Sequence, residues 1–333
     1  MPTIKEVAER AGVSSTTVSH VINDTRFVSA TVREKVLGAM REMDYHPNAL
    51  ARSLRRGETR TLGLILPDSA NPFFAEVGRG IERSAFENGY NVILCNTDGD
   101  ARKEAVYVDV LIEKHVDGVV FVAVGKNSDT LHRLLDIDLP VIVVDRDFPG
   151  IDVDAVLADN HQGGYIATRH LIDLGHRRIG CIGGPSQITP SADRVTGYRA
   201  ALADAGIAVS EEMIGCGDFH PASGQSAARS LMELPDPPSA IFVCNDLMAI
   251  GALRAAGEKG RRVPEDLAVV GFDDIELASY TNPPLTTVAQ PKQEIGQRAT
   301  QLLIERVLDK SIHPRRESLS MHLAIRGSCG ARR

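Results

Sequence analysis

The spacing of apolar residues changes near residue 60 of this 333-residue chain. Before that point apolar side chains recur every three or four positions, the period of a helix with one buried face. Three such stripes are present: Ile4, Val7, Ala8 and Ala11, then Val18, Val21 and Ile22, and then Val32, Val36, Met40 and Met43. After residue 60, short continuous apolar runs alternate with amphipathic stretches. The pattern therefore predicts a small all-α head followed by a larger α/β body.

The first two predicted helices have clear end signals and a short connection. Thr3 and Glu6 have capping-box spacing, in which a hydroxyl and a carboxylate satisfy free amides at a helix start. Gly12 supplies the turn, and Ser14 is a favourable N-cap for the second helix. The side of that helix opposite its apolar residues carries Ser15, Thr16 and His20. Two short helices around a glycine turn, the second with a small polar outer face, predict a helix-turn-helix unit.

The segment that follows the third predicted helix is too short to be a stable helix on its own. Thr31 and Glu34 repeat the capping-box spacing and predict a third helix that starts at Thr31. Further on, Pro47 suits a first helical position and Gly57 suits a stop, which marks out residues 47–56. Isolated helices below about 12–15 residues are marginal in water. The segment also contains Arg52, Arg55 and Arg56. We therefore predict a short helix that folds only against a partner, and the arginines indicate that this partner is a polyanion.

The body alternates predicted strands with predicted helices in two sets. The first set has apolar runs at 61–66, 91–95, 118–122 and 140–144, with helices at 75–88 and 103–115. The second set has runs at 178–182, 240–244 and 267–271, with helices near 161–173, 192–205, 222–233 and 246–259. Runs of this kind are typical of strands buried on both faces of a parallel sheet. The body is predicted to be two α/β lobes that face one cleft.

Polar and aromatic side chains follow several of the predicted strands. Ligands of open α/β sheets bind beyond the carboxyl ends of the strands, so these side chains are candidate ligand-binding residues. They are Asn71, Phe73, Phe74, Asp145, Arg146, Arg194, Phe219, Asn245, Asp273 and Gln290. Carboxylate, amide and guanidinium groups suit sugar hydroxyls, which both donate and accept, and aromatic rings stack on the C–H faces of a sugar. Core roles for Phe73 and Phe74, a surface ion pair for Asp145 and Arg146, and a helix-capping role for Asn245 remain alternatives.

Composition adds a charge asymmetry and excludes several other classes. Residues 1–57 hold nine basic and six acidic side chains, a net charge of +3, whereas the whole chain carries −7 and the remainder therefore −10. A basic head on an acidic body places polyanion binding at the head. The five cysteines are odd in number and lack a CxxC pair, which indicates reduced thiols. We expect no metal site, no cofactor, no membrane span and no secretory signal, and hence a cytoplasmic protein.

Several motifs together resemble the lac repressor family of bacterial transcription regulators. They are Thr3-Ile4-Lys5-Glu6-Val7-Ala8, Gly12-Val13-Ser14, Thr17-Val18-Ser19-His20-Val21-Ile22-Asn23 and Asn48-Ala49-Leu50-Ala51-Arg52-Ser53-Leu54. The resemblance covers essentially the whole chain. It implies an all-α helix-turn-helix head with a hinge helix, joined to an α/β two-lobe core like that of periplasmic sugar-binding proteins. It also implies a homodimer that reads a palindromic double-stranded operator.

The resemblance carries residue roles and domain boundaries with it. The second helix would read the major groove, while the hinge helix would enter the minor groove and wedge a base step with Leu54. The implied DNA contacts are Thr3, Ser15, Thr16, Thr17, His20, Asn23, Leu54 and Arg55. The implied domains are the DNA-binding domain 1–46, the hinge and linker 47–60 and the core 61–333. Within that core, the N-lobe would be 61–160 plus about 293–320, and the C-lobe about 161–292 plus 321–333.

The resemblance is strongest to the ribose- and purine-responsive members of the family. In the loop 187–191, purine-responsive members use an arginine and a threonine where this chain has Ile188 and Pro190. The candidate ligand residues instead match those of ribose-binding proteins, so the expected effector is D-ribose. A purine or another effector is the alternative. A sugar-acting enzyme is the rival from another class, although the sequence contains no nucleophile–base–orienter set. The direction of the effector's action is not set by the sequence.

Overall fold

The computed structural model describes residues 2–24, 26–45, 58–125 and 128–331. The chain divides into two compact units, Met1–Thr59 and Arg60–Arg333. The predicted hinge helix 47–56, with Leu54 and Arg55, lies outside the described residues.

The first unit is a cluster of short helices. They are α1 (Ile4–Ala11), α2 (Ser15–Asn23) and α3 (Ala30–Glu42). Val7, Val18 and Val36 are fully buried between them, together with most of Val21. The predicted stripes therefore do meet in one small core, as the helical period requires.

The ends of these helices follow the predicted caps in two cases out of three. Thr3 and Glu6 form the complete capping box of α1, and Gly12 ends that helix with φ of 66°, which glycine adopts without strain. The Thr17 amide donates to Ser14 Oγ (3.1 Å) at the start of α2. The predicted start of α3 at Thr31 is wrong, because Ser29 is the N-cap and Ala30 is already helical, with the Arg33 amide donating to the Ser29 carbonyl (2.9 Å).

The second unit contains two six-stranded sheets, and each sheet with the helices packed on it is called a lobe. The N-lobe sheet has the strand order β11-β5-β4-β3-β1-β2 and is parallel throughout. Its strands are β1 (Thr61–Leu66), β2 (Asn91–Asn96), β3 (Gly118–Phe121), β4 (Val141–Val144), β5 (Asp154–Ala158) and β11 (Arg316–Leu319). Its helices are α4 (Pro72–Glu87), α5 (Ala101–Glu113), α6 (Asp129–Asp136) and α11 (Lys292–Leu308).

The C-lobe repeats this architecture with one antiparallel edge. Its strand order is β12-β10-β9-β8-β6-β7, and only the pairing of β10 with β12 is antiparallel among the strands described. Its strands are β6 (Ile179–Gly183), β7 (Ile214–Cys216), β8 (Ala240–Val243), β9 (Ala268–Asp273), β10 (Thr286–Ala289) and β12 (His322–Ala324). Its helices are α7 (Asn160–Asp173), α8 (Thr189–Asp204), α9 (Pro221–Met232) and α10 (Asp246–Glu258). Short 3₁₀ turns lie at Glu211–Met213 and Glu276–Ser279.

The chain passes between the lobes three times, after β5, after β10 and after β11. Strands β1, β3, β4, β6, β8 and β9 are buried almost throughout, as expected for strands covered on both faces. The expectation of full burial is wrong for β2, which is the edge strand of the N-lobe sheet and leaves Leu94 53% exposed. Among the described residues no helix is both long and apolar enough to cross a bilayer.

Candidate functional site

Nine of the ten candidate ligand residues line one cleft between the two lobes. The lining residues are Asn71, Phe73, Phe74, Asp145, Arg146, Ile188, Pro190, Arg194, Phe219, Asn245 and Asp273. The free space that they enclose is about 40 Å³, room for a few water molecules. A sugar ring or a purine therefore requires side chains or lobes to move apart before it enters. The cleft lies at the carboxyl ends of the strands in both sheets, as such sheets place their ligands.

The N-lobe contributes an aspartate–arginine pair directly after β4. Asp145 has φ of 66°, so the backbone turns sharply at the strand end. Arg146 is 6% exposed and donates through Nη1 to the Ala123 carbonyl, while its Nε has no hydrogen-bond partner in the described structure. Burial raises the pKa of Asp145, opposed by the positive charges of Arg146 and Arg194. This pair offers both an acceptor and unused donors to a ligand.

Arg146 is itself supported by a buried carboxylate on α5. Glu104 is 4% exposed and accepts hydrogen bonds from the Val124 amide (2.7 Å) and from Thr130 Oγ1 (2.6 Å). These bonds fix the loop after β3, which carries the carbonyl that Arg146 binds. Burial lowers the pKa of Arg146, and the charges of Asp145 and Glu104 oppose that shift. The guanidinium is thus held in place by groups outside the cleft.

The aromatic wall of the N-lobe is set by the start of α4. Asn71 caps this helix, because its Oδ1 accepts from the Phe73 amide (3.0 Å) and Pro72 occupies the first turn. Phe73 and Phe74 pack edge to face with ring centroids 5.0 Å apart. Both rings are mostly buried and also belong to the N-lobe core. Their core role and their position in the cleft are therefore compatible.

The C-lobe contributes the second arginine, from the first turns of α8. Arg194 Nε donates to Asn160 Oδ1 (2.8 Å) and Nη1 donates to the Cys244 carbonyl (2.6 Å). Its guanidinium carbon lies 3.8 Å above the centre of the Phe272 ring, within the range of a cation–π contact. A Cβ added to Gly164 of α7 would stand 2.1 Å from the Arg194 carbonyl oxygen, so this close helix contact requires glycine.

Asp273 ends β9 and faces Arg194 across 3.5 Å. Its Oδ1 accepts from Gln290 Nε2 (2.8 Å). Burial raises the pKa of Asp273 to about 6, with Asp145 adding to the rise, while Arg194, Gln290 and Lys292 oppose it. The carboxyl is therefore ionised at neutral pH but close to its titration range.

Gln290 is the candidate that the structure places outside the lining. It lies behind Asp273, is 4% exposed, and its Oε1 has no hydrogen-bond partner among the described residues. Asn245 does reach the cleft, yet its amide is used structurally: Oδ1 accepts from the Met248 amide (2.9 Å) and Nδ2 donates to the Phe219 carbonyl (3.0 Å). Phe219 has φ of 71°, a left-handed conformation that is uncommon for a bulky residue.

Ile188 and Pro190, which the sequence analysis used to compare effectors but did not count among the candidate ligand residues, both line the cleft. The available signal was their position in the loop after β6, at the same sheet edge as the other candidates. With Phe73, Phe74 and Phe219 they give the cleft five apolar side chains beside its four charged ones. Across the residues that the structure describes, no group of three or more His, Cys, Asp or Glu side chains is placed to hold a metal ion.

On the head, the candidate DNA contacts belong to two groups. Thr16 is exposed, and Ser15 and His20 are partly exposed, whereas Val18 and Val21 of the same helix are buried. Thr3, Thr17 and Asn23 use their side chains within the head: Thr3 in the capping box, Thr17 Oγ1 beside Ser14 Oγ (2.9 Å), and Asn23 Nδ2 to the Ser19 carbonyl (2.8 Å). Leu54 and Arg55 fall outside the described residues.

Two family models match the chain and together cover most of it. "Bacterial regulatory proteins, lacI family" matches residues 3–48. "Periplasmic binding proteins and sugar binding domain of LacI family" matches residues 59–326.

Similar proteins cover nearly the full length of the chain. The HTH-type transcriptional repressor PurR of Photobacterium profundum is 44% identical over 98% of this chain and 98% of its own. The ribose operon repressor of Escherichia coli is 43% identical over 98% of this chain and 100% of its own. The crystal structure of the lac repressor dimer bound to operator and the anti-inducer ONPF is 28% identical, with a TM-score of 0.90 and 99% of each chain covered.

Proposed function

Because this chain belongs to the lacI family and is a DNA-binding transcription repressor with a small-molecule domain, we propose that a neutral pentose, D-ribose, controls it. The observation that carries the proposal is that each lobe places one aspartate and one arginine on the cleft, Asp145 and Arg146 from the N-lobe and Asp273 and Arg194 from the C-lobe. Each lobe thus contributes one carboxylate and one guanidinium to the same ligand.

The charges of the cleft favour an uncharged ligand with several hydroxyls. Two buried aspartates and two buried arginines line the cleft, so their formal charges cancel. A phosphorylated sugar would bring about two negative charges into this balanced site, and burying unpaired charge is costly. Each sugar hydroxyl instead donates to a carboxylate and accepts from a guanidinium. This balance supports a free sugar over a sugar phosphate.

The loop at the start of α8 favours ribose over a purine. Ile188 and Pro190 present apolar groups where the purine-responsive members that this chain resembles use an arginine and a threonine. A purine has polar ring nitrogens and a polar exocyclic group. A site that leaves these groups without hydrogen-bond partners binds a purine more weakly. Purine control is nevertheless the second candidate, because the PurR relative is as similar as the ribose operon repressor.

The head is proposed to read DNA as one half of a homodimer. One helix-turn-helix reads one half-site, and the two-fold symmetry of a palindromic operator matches that of a dimer. Ser15, Thr16 and His20 would contact base edges in the major groove, because they form the outer face of α2. The hinge helix would kink the minor groove with Leu54, as the resemblance of residues 48–54 to the family implies.

The effector is proposed to act through the spacing of the lobes. Ribose would bind both aspartate–arginine pairs at once, which favours one lobe arrangement by the difference in its affinity for the open and closed states. That change would decide whether the hinge helices fold on DNA. By resemblance to ribose-responsive members we expect D-ribose to release the operator.

Isothermal titration calorimetry of the full chain tests the effector most simply. D-Ribose, D-ribose 5-phosphate, D-xylose, hypoxanthine and guanine are titrated separately. D-Ribose is expected to bind more tightly than the other four. The variant Arg146→Met should remove binding, because it deletes the N-lobe donors of the cleft. Binding of hypoxanthine or guanine without binding of D-ribose contradicts the proposal and favours purine control.

A further inference from the structure

The backbone that carries Asp273 has an unusual conformation. Asp273 and the next residue, Asp274, have φ angles of 106° and 54°. Residues other than glycine rarely have positive φ angles. Two consecutive residues keep this conformation only where surrounding groups hold them. The segment 273–275, here called the ligand loop, therefore needs partners that fix it.

The ammonium group of Lys292 is the strongest of those partners. Its Nζ donates to the carbonyls of Asp273 (2.7 Å) and Asp274 (2.5 Å), and the residue is 7% exposed. Further bonds hold the far end of the loop, where the Ile275 amide donates to Asp246 Oδ2 (2.9 Å). A buried ammonium that binds two carbonyls makes charge-assisted bonds that water does not replace.

Lys292 reaches the ligand loop from the opposite lobe. It is the first residue of α11, a helix whose apolar side packs into the N-lobe core. That helix lies directly against α4, because a Cβ on Gly80 would meet the Gln293 carbonyl oxygen at 2.6 Å. The Lys292 Nζ also stands 3.7 Å from Glu76 Oε2 on α4. Helix α4 begins with the aromatic wall of the cleft, so one ammonium contacts structures on both sides of the ligand site.

We propose that Lys292 is a positioning residue that ties the ligand loop of the C-lobe to α4 and α11 of the N-lobe. Its two carbonyl bonds hold the backbone that carries the Asp273 carboxylate, although Lys292 does not line the cleft itself. Because Lys292 positions Asp273, it contributes to the affinity for the effector. Its relevance to an effector rests on the proposed function, whereas the tie itself does not.

Hydrogen–deuterium exchange of the ligand-free full chain tests the tie. Lys292→Met removes the two carbonyl bonds and keeps the apolar stem. Exchange in peptides that contain the ligand loop should rise about tenfold, while exchange elsewhere in the C-lobe stays as in the wild type. A uniform rise over the whole core contradicts a positioning role and indicates general destabilisation. Unchanged exchange in the ligand loop contradicts the tie.

The matched control is Lys259→Met, which removes a lysine from an exposed pair with Glu233 in the C-lobe, the lobe that carries the ligand loop. It should leave the ligand loop unchanged. If Lys292→Met does not fold, Lys292→Gln takes its place, with the same expected rise in hydrogen exchange of the ligand loop. Unchanged exchange of that loop in Lys292→Gln equally contradicts the tie.

Calorimetry with D-ribose then separates this inference from the proposed function. Lys292→Met should weaken D-ribose binding about tenfold, because the backbone of the ligand-binding Asp273 loses the hydrogen bonds that orient it. Lys259→Met should bind as the wild type does. Wild-type protein that ignores D-ribose contradicts the proposed effector, and the exchange result still decides whether the tie exists. Normal D-ribose affinity in Lys292→Met overturns the part of the inference that concerns the effector.

Discussion

At the scale of single residues, the Asp273 carboxyl group combines burial, a pKa of about 6 and a place in the cleft. The charged groups around it are Arg194, Lys292, Asp145 and Asp246. Burial also raises the pKa of Asp145, so both cleft carboxyl groups take up protons at a higher pH than an exposed aspartate does.

These shifts predict a pH dependence of effector binding. An ionised carboxylate accepts two hydroxyls, whereas a protonated one loses acceptor capacity. D-Ribose affinity should fall as the pH drops through about 6, by up to about tenfold per pH unit for the one proton that Asp273 must release before binding. Calorimetry between about pH 5 and pH 8 measures this. Equal affinity throughout that range contradicts the role of Asp273.

Removing the charge should have the same effect at neutral pH. Asp273→Asn keeps the shape of the side chain but replaces one carboxylate oxygen by a donor, and hydrogen bonds to charged groups contribute about 1.5–3 kcal/mol. A loss of D-ribose affinity of roughly ten- to a hundredfold is expected, with a flatter pH profile. Wild-type affinity in this variant argues that Asp273 serves the loop and not the ligand.

Single residues also show what a sequence can and cannot predict. Nine candidates chosen for their strand-end positions line one cleft, because parallel strands deliver their carboxyl ends to one edge. It could not separate Gln290, one layer behind, from its neighbours, since depth depends on packing. Nor could it show that the Asn245 amide would be used for a helix cap and a loop bond.

At the scale of elements, the caps of the head make a prediction with an internal control. Ser14 caps α2 through a side-chain bond, whereas Ser29 occupies the same position before α3 without one. Ser14→Ala should destabilise α2 by about 1 kcal/mol, and Ser29→Ala by much less. Hydrogen exchange in α2 should therefore rise about fivefold in the first variant and stay unchanged in α3 of the second. Equal effects of the two substitutions contradict the cap assignment.

The elements that the sequence predicted best are those with unbroken apolar runs. The run at 61–66 coincides with β1, and the runs of the second set fall within one or two residues of their strands. Strands β5, β7, β11 and β12 were not predicted. Three of them lie at sheet edges, where partial exposure mixes polar residues into the pattern. The edge position of β2 was equally invisible, since an apolar run does not report how many neighbours a strand has.

At the scale of the whole molecule, the head and the core are separate compact units, and the family unites both in one regulator. The hinge segment between them provides the next prediction. Leu54→Ala should weaken operator binding, because the wedge into a base step is lost, while D-ribose affinity stays as in the wild type. Fluorescence anisotropy and calorimetry on the same preparation measure the two. Unchanged operator affinity contradicts the wedge.

Coupling between the cleft and the operator is the central claim, and one titration tests it directly. A palindromic duplex selected by the protein from a random pool is titrated at fixed salt with and without saturating D-ribose, with Asp273→Asn as the control. The wild type should bind the duplex about tenfold or more weakly when D-ribose is present, within the usual range of allosteric coupling. The variant should show little change. Equal duplex affinity with and without D-ribose, in a protein that calorimetry shows to bind the sugar, contradicts the account.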